Sequence, residues 1–284
     1  MANREQHTQR IKLALEKMTS KLTGRLEGSY QHNGVRWMLY RELECSIKGG
    51  ILADDMGLGK TIQAIGLIRA NPCPTLIICP VSLVGQWRDE LISFGAFRPI
   101  VLNSSYKGIL PKDIEVVLTS YSSFQGKNPP KCLTKTEWGR IILDEGHIIR
   151  NHKTRLNKEI TKVQATRKWL LTGTPINNSN KDLRTLVTWI GGDASKSRNS
   201  TDICKEYVLR RTQEGEAAIN PRMALPNLDT VVKRLVFKYP EEQELYDNVE
   251  VYFQKQLESV STSRRHMAAI EGGIRLRQVC IGSH

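Results

Sequence analysis

No run in this 284-residue sequence approaches the roughly 18 apolar residues that a membrane-crossing helix needs. That removes a spanning helix, and with it a membrane partner, from the expectations. Cysteine is sparse and unpatterned. The six lie at positions 45, 73, 79, 132, 204 and 280, with no C-x-x-C and no histidine at zinc-finger spacing. A zinc finger or ribbon is thereby excluded. Cys45, Cys79 and Cys280 sit in apolar contexts that suit buried free thiols, as in a reducing compartment, cytosol or nucleus. The first 24 residues are charged and mildly amphipathic (Ile11, Leu13, Leu15, Met18, Leu22). They lack the apolar core and cleavage site of a secretory signal. No short-period repeat is present, which argues against a solenoid. Acidic residues fall short of basic ones, 29 against 42, for a net charge of +13. Such a surplus calls for an anionic partner, nucleic acid first. The basic residues are spread out, with only short pairs such as Arg210-Arg211, which suits a folded basic groove better than a tail.

What is present is ordinary globular material. Hydrophobic residues make up 39% and charged residues 25%, enough for one large domain or two small ones. Residues 54–61 read DDMGLGKT. They follow an apolar run, Ile47 to Ala53, and precede Ile62, Ile65 and Ile68 at helical spacing. A glycine-rich turn between strand and helix is a phosphate-binding loop, because its amides and the helix N-terminus face anionic oxygens. Asp54 stands where the strict G-x-x-x-x-G-K-[ST] pattern has its first glycine, and Gly57 supplies the flexibility. Asp54, Asp55, Met56, Gly57, Leu58, Gly59, Lys60 and Thr61 are therefore the expected nucleotide-binding residues. Lys60 would reach the β- and γ-phosphates and Thr61 would hold Mg²⁺.

A second signal is Ile141-Ile142-Leu143-Asp144-Glu145-Gly146-His147. Three β-formers followed by two acids put both carboxylates at a strand end. Beside a phosphate loop, Asp144 can hold Mg²⁺ through water and Glu145 can orient or deprotonate the attacking water, with Lys60 completing the catalytic set. Between 48 and 192 the sequence alternates expected strands (Gly50–Ala53, Leu76–Cys79, Ile100–Leu102, Glu115–Leu118, Ile141–Leu143, Trp169–Leu171) with helical patterns over 60–70, 82–93 and 153–165. That alternation predicts an α/β fold with a parallel sheet, and sites at the C-terminal strand ends. Beyond the polar loop 191–200, helices are expected over 240–258 and 262–279, the latter broken at Gly272-Gly273.

DDMGLGKT, DEGH (144–147) and LTGTPINN (171–178) together resemble the SWI/SNF-like branch of the superfamily-two helicase-type ATPases. Tyr30 to Trp37 is similar to that family's adenine-reading Q motif, and Leu76 to Trp87, Leu118 to Tyr121, Leu209 to Thr212 and Arg275 to Cys280 match later segments in order. Within that branch the similarity is nearest to helicase-like transcription factors, postreplication-repair translocases and termination-factor ATPases.

The resemblance implies a RecA-like ATP-binding lobe over 25–192, preceded by a helical leader at 1–24. A linker and helical extension over 193–284 would lead to a second lobe that this sequence does not include. It implies ATP and Mg²⁺ as cofactors and double-stranded DNA as partner, with chromatin or transcription proteins and a second RecA-like lobe as further partners. It also implies a nuclear address, with a cytoplasmic one as the alternative. Gln31 would read adenine. His147, Thr172 and Thr174 would couple the nucleotide to the nucleic-acid track, and Pro80, Ser82, Trp87, Thr119 and Ser120 would line that track. Ser29 replaces the family's usual Pro, and Asn177 its usual Gln. The implied activity is DNA-dependent ATP hydrolysis with translocation, incomplete in this stretch alone. A non-catalytic ATP- and DNA-binding regulator and an RNA helicase lobe are the alternatives.

Overall fold

The computed structural model describes residues 2–106, 108–126, 129–173, 180–195, 199–219, 237, 239–259 and 262–281. Thr174 and the remainder of LTGTPINN to position 178 lie outside the described residues. Two compact units are present, Met1–Leu225 and Pro226–His284.

The first unit is built on a seven-stranded sheet. Its strands are β1 (Gly49–Leu52), β2 (Thr75–Cys79), β3 (Ile100–Leu102), β4 (Val116–Ser120), β5 (Trp138–Asp144), β6 (Ala165–Leu171) and β7 (Val208–Leu209), in the spatial order β3-β4-β2-β5-β6-β1-β7. All six pairings are parallel. Short runs of Ile, Leu and Val suit strands buried on both faces. Successive residues alternate between two cores, as the pleat requires. Ile51, Leu76, Ile78, Val117, Ile141, Leu143 and Leu170 face one side. Leu52, Ile77, Cys79, Leu118, Ile142, Trp169 and Leu171 face the other.

Helices cover both faces. α1 (Ala2–Lys21), α2 (Gly28–Glu44), α3 (Lys60–Ala70) and α4 (Val84–Ser93) contribute Met18, Val35, Met38, Ile65, Ile68 and Leu91 to the second core. α5 (Ser122–Gln125), α6 (Lys131–Lys135), α7 (Arg155–Thr161), α8 (Asn180–Trp189) and α9 (Ser200–Tyr207) contribute Phe124, Leu133, Ile160, Leu183, Leu186 and Ile203 to the first. A short α10 (Gln213–Ile219) follows β7. α1 packs on α2 and α3, burying Ile11 and Met18 while Leu13 stays exposed.

Several elements differ from the sequence expectation. The helix expected over 153–165 is confined to α7, which Thr154 caps by accepting the Asn157 amide. β5 starts early, pairing Trp138 with Ala165, so β6 claims the residues from 165 onward. β7 was not foreseen, being two residues long; it pairs with β1 as an edge strand. In the second unit α11 (Pro240–Ser259) opens with proline and two glutamates, favourable at a helix N-terminus, and packs on α12 (Thr262–Ile281). α12 runs unbroken through Gly272-Gly273. A Cβ on Gly272 would lie 3.0 Å from Phe253, so that glycine lets the two helices approach.

Away from the strand C-termini, one buried carboxylate joins α2 to the sheet. Glu42 accepts from Arg140 Nε and Nη2, both at 2.6 Å, from Trp169 Nε1 at 2.9 Å and from Asn71 Nδ2 at 2.7 Å. Glu42 and Arg140 are both fully enclosed. A buried pair of this kind is tolerable only because every lone pair has a donor.

Candidate nucleotide-binding site

The loop after β1 turns twice through left-handed backbone, at Gly57 (φ 86°) and Gly59 (φ 70°). Glycine is the residue that enters this region without a Cβ penalty. A Cβ at Gly59 would also stand 2.4 Å from Gln31 Nε2. α3 begins at Lys60 with no side chain capping its N-terminus, which leaves its first amides and positive dipole end for an anion.

β6 separates β1 from β5, so the ends of β1 and β5 stand two strands apart on one edge. Met56, Gly57, Gly59, Lys60, Thr61, Ile62, Asp144 and Glu145 line one cleft of about 330 Å³. Lys60 and the two acids are thus brought together from positions 84 apart in the chain. Leu83, just before α4, and Gln86, Trp87 and Glu90 of α4 close the wall. Lys60 Nζ donates to the carbonyls of Asp54 (2.7 Å) and Asp55 (3.2 Å).

Asp144 is 6% exposed. Its Oδ2 accepts from Trp87 Nε1 at 2.7 Å, its Oδ1 from the Glu145 amide at 3.0 Å, and its carbonyl from the Tyr121 hydroxyl at 2.7 Å. Burial holds its carboxyl above the ordinary value of 3.8, against the opposing Trp87 hydrogen bond, with Glu145 repulsion adding to the rise. The same burial pushes the Cys79 thiol up to about 12, helped by the Asp144 charge. Glu145 adopts φ 50°, ψ 44°. A non-glycine residue in this region stores roughly 1–3 kcal/mol and persists only where its surroundings enforce it. His147 Nδ1 lies 3.1 Å from Glu145 Oε2 and 3.1 Å from Thr172 Oγ1. A polar chain therefore runs from the cleft to the end of β6, where Thr172 is buried and its amide bonds Leu52.

The donor set suits a hydrated Mg²⁺ on a phosphate chain, which needs one or two carboxylates and a hydroxyl rather than a full protein cage. Asp144, Glu145 and Thr61 supply these on one cleft. Among the described residues no group of three or more His, Cys, Asp or Glu side chains converges as a self-sufficient metal site.

Other expected residues, Trp87 apart, do not line this cleft. Asp54, expected at the phosphates, is fully buried and bonded to Arg211 and Gln63. Gln31 is also buried, its Oε1 accepting the Glu27 amide at 2.6 Å. Ser82 is exposed and Pro80 half-buried after β2, with Ser120 at the paired end of β4. Thr119 and Trp87, expected to line the nucleic-acid track, are both buried. Thr119 is enclosed and donates to Leu102 O at 2.8 Å, while Trp87 turns its indole inward to Asp144. Sequence reasoning missed Gln63, Glu90 and Gln213, and it placed Leu83, Gln86 and Arg211 inside family-like segments without giving them a role at the site. Gln63 could have been found, since it stands one helical turn after Lys60.

The SNF2-related domain family matches residues 30–202 of this chain. DNA repair protein RAD5 of Candida albicans is 29% identical over 84% of this chain and 28% of its own length. TATA-binding protein-associated factor MOT1 of Saccharomyces cerevisiae is 35% identical over 57% of this chain and 10% of its own. The chain thus spans less than a third of either relative. Among solved structures, the Sulfolobus solfataricus SWI2/SNF2 ATPase core in complex with dsDNA aligns with a TM-score of 0.61 and 28% identity, covering 91% of this chain and 59% of that one.

Proposed function

The chain belongs to the SNF2-related family, and from that premise we propose that it is the ATP-binding lobe of an ATP hydrolase that moves along double-stranded DNA. The observation that carries the proposal is the convergence of Lys60, Thr61, Asp144 and Glu145 on one cleft. Lys60 would exchange its two carbonyl partners for phosphate oxygens, which the Gly57–Gly59 turn and the α3 amides would cradle. Thr61 and Asp144 would hold Mg²⁺, which supplies charge neutralisation at the transferring phosphoryl group. Glu145 would orient and deprotonate the attacking water, its strained backbone aiming the carboxylate. Gln31 would select adenine. The chain Glu145–His147–Thr172 would report the state of the cleft to the strand ends bearing Pro80, Ser82 and Ser120, where DNA would lie.

The net charge of +13 supports a phosphate-tracking mode of contact with little base reading. The dsDNA complex of the Sulfolobus solfataricus neighbour supports duplex DNA as the partner, and the DNA-repair and TATA-binding-protein names of the yeast relatives support a nuclear role. Lys60 is the cation lining the cleft among the described residues. Arginines from a second lobe would complete it, a contribution of about 10³–10⁵ in rate in related phosphoryl transfers. The 284-residue chain alone should then bind ATP and hydrolyse it slowly. The test measures ATP binding and ATPase rate with and without duplex DNA, on this chain and on one joined to a second lobe, each beside Lys60→Ala. Duplex-stimulated turnover only in the joined form, abolished by Lys60→Ala, is expected. Activity indifferent to Lys60→Ala would overturn the proposal.

A further inference from the structure

Arg211 lies just after β7, on the segment by which the chain leaves the sheet, with 14% of its side chain exposed. Its guanidinium reaches three separate segments. Nε donates to Asp54 Oδ1 at 2.9 Å, and Nη2 donates to Asp54 Oδ2 and, at 2.8 Å, to Gln63 Oε1. Nη1 donates to the backbone carbonyl of Tyr30, and the guanidinium carbon stands 5.6 Å from the Tyr30 ring centroid. The Arg211 amide adds a bond to Asp54 Oδ1 at 3.2 Å, and its carbonyl accepts the Asp55 amide at 3.0 Å. Asp54 thus has all its acceptor capacity engaged within the protein. Tyr30 immediately precedes Gln31, whose amide abuts Gly59. Two residues on, Gln213 donates its amide to Asp55 Oδ2 at 3.2 Å and its Nε2 to Met56 O at 2.8 Å.

We propose that Arg211 is a positioning residue that fastens the base-selecting segment at Tyr30-Gln31 to the phosphate loop, so that choice of base and grip on phosphate operate as one unit. This rests on the nucleotide-binding reading above. The planar fork is what the arrangement demands: one edge pairs Asp54 while the remaining N–H aims at the Tyr30 carbonyl. A lysine ammonium is a point charge that can keep the first contact but cannot span both. The exit segment therefore sets base preference without contacting the base.

The test compares binding of ATP, GTP and inorganic tripolyphosphate, each with Mg²⁺, to the 284-residue chain, Arg211→Lys and Gln63→Met, with unfolding curves for all three proteins. Arg211→Lys should lower the ATP-over-GTP preference about tenfold, because a base-reading group loses its alignment. Its tripolyphosphate affinity should change less than about twofold, since the ion pair to Asp54 survives. Gln63→Met, which removes the acceptor for Arg211 and the donor to Asp54 and Leu58 while leaving Arg211 paired with Asp54 and Tyr30, should lower the preference by about threefold. This variant keeps the question answerable if Arg211→Lys does not fold. Equal weakening for all three ligands marks a purely structural role and overturns the inference. So does an unchanged preference in both variants of a selective wild-type chain. A wild-type chain that binds ATP no better than GTP overturns the adenine assignment to Gln31 and this inference with it.

Discussion

The bond between Trp87 and Asp144 lends itself to a double-mutant cycle. Trp87 is buried, and its indole N–H ends on a carboxylate that is itself almost enclosed. Trp87→Phe removes the donor and part of the ring. A hydrogen bond to a charged group contributes about 1.5–3 kcal/mol, and the lost apolar area adds about 1 kcal/mol. The expected destabilisation is therefore about 3 kcal/mol. Asp144→Asn acts differently. Burial, with Glu145 repulsion, raises the Asp144 carboxyl above 3.8 despite the opposing Trp87 bond. A carboxyl held above its unfolded value weakens the fold as it ionises: stability falls as pH rises from 3.8 through the raised value and stays lower beyond it. Asp144→Asn removes that loss. It should be more stable than the wild type at neutral pH, equal to it below pH 3.8, and unable to support Mg²⁺-dependent ATP binding. With a neutral partner the indole bond is worth only about 0.5–1.5 kcal/mol, so Trp87→Phe should cost less in the Asp144→Asn background. The coupling should be about 1–1.5 kcal/mol, read from urea unfolding by circular dichroism in EDTA. Effects that add to within about 0.5 kcal/mol would refute the reasoning.

Other expectations follow from separate parts of the molecule. Glu42→Ala strips the partner from a buried Arg140 and from the Trp169 and Asn71 donors; it should cost about 3–5 kcal/mol in unfolding free energy, and a loss under 1 kcal/mol would show that the network is replaceable. Thr172→Val cuts the chain that His147 makes to β6. In a protein joined to a second lobe it should keep ATP binding within about twofold and depress duplex-stimulated turnover, whereas an equal loss of binding would end the coupling role. Duplex affinity should fall steeply with salt, by a log–log slope near −0.9 per phosphate neutralised. A flat response would remove the phosphate-tracking surface.

Much of the architecture is legible in the sequence. Six of the seven strands carry a short stretch rich in Ile, Val or Leu, and such stretches between helical patterns have few other solutions. β7 was not legible, because two residues carry no periodicity and its strand character comes from pairing with β1. The extent of α7 was set by where β5 and β6 align, a long-range fact. At Gly272 the sequence shows a poor helix former, while the structure shows close packing there, a Cβ lying 3.0 Å from the Phe253 ring.

By itself, the sequence determined the chemistry available. The glycines that permit the loop, the lysine, the threonine and the two acids are local signatures, because backbone freedom and side-chain charge belong to single residues. Only the tertiary structure decided which groups those residues meet. Asp54 and Trp87 were read as contacts for nucleotide and nucleic acid, yet one is consumed by Arg211 and the other orients Asp144. Burial and partnership depend on segments far away in the chain, such as Arg211, 157 residues beyond Asp54. No local pattern records which distant guanidinium or indole a folded sheet will bring to a carboxylate.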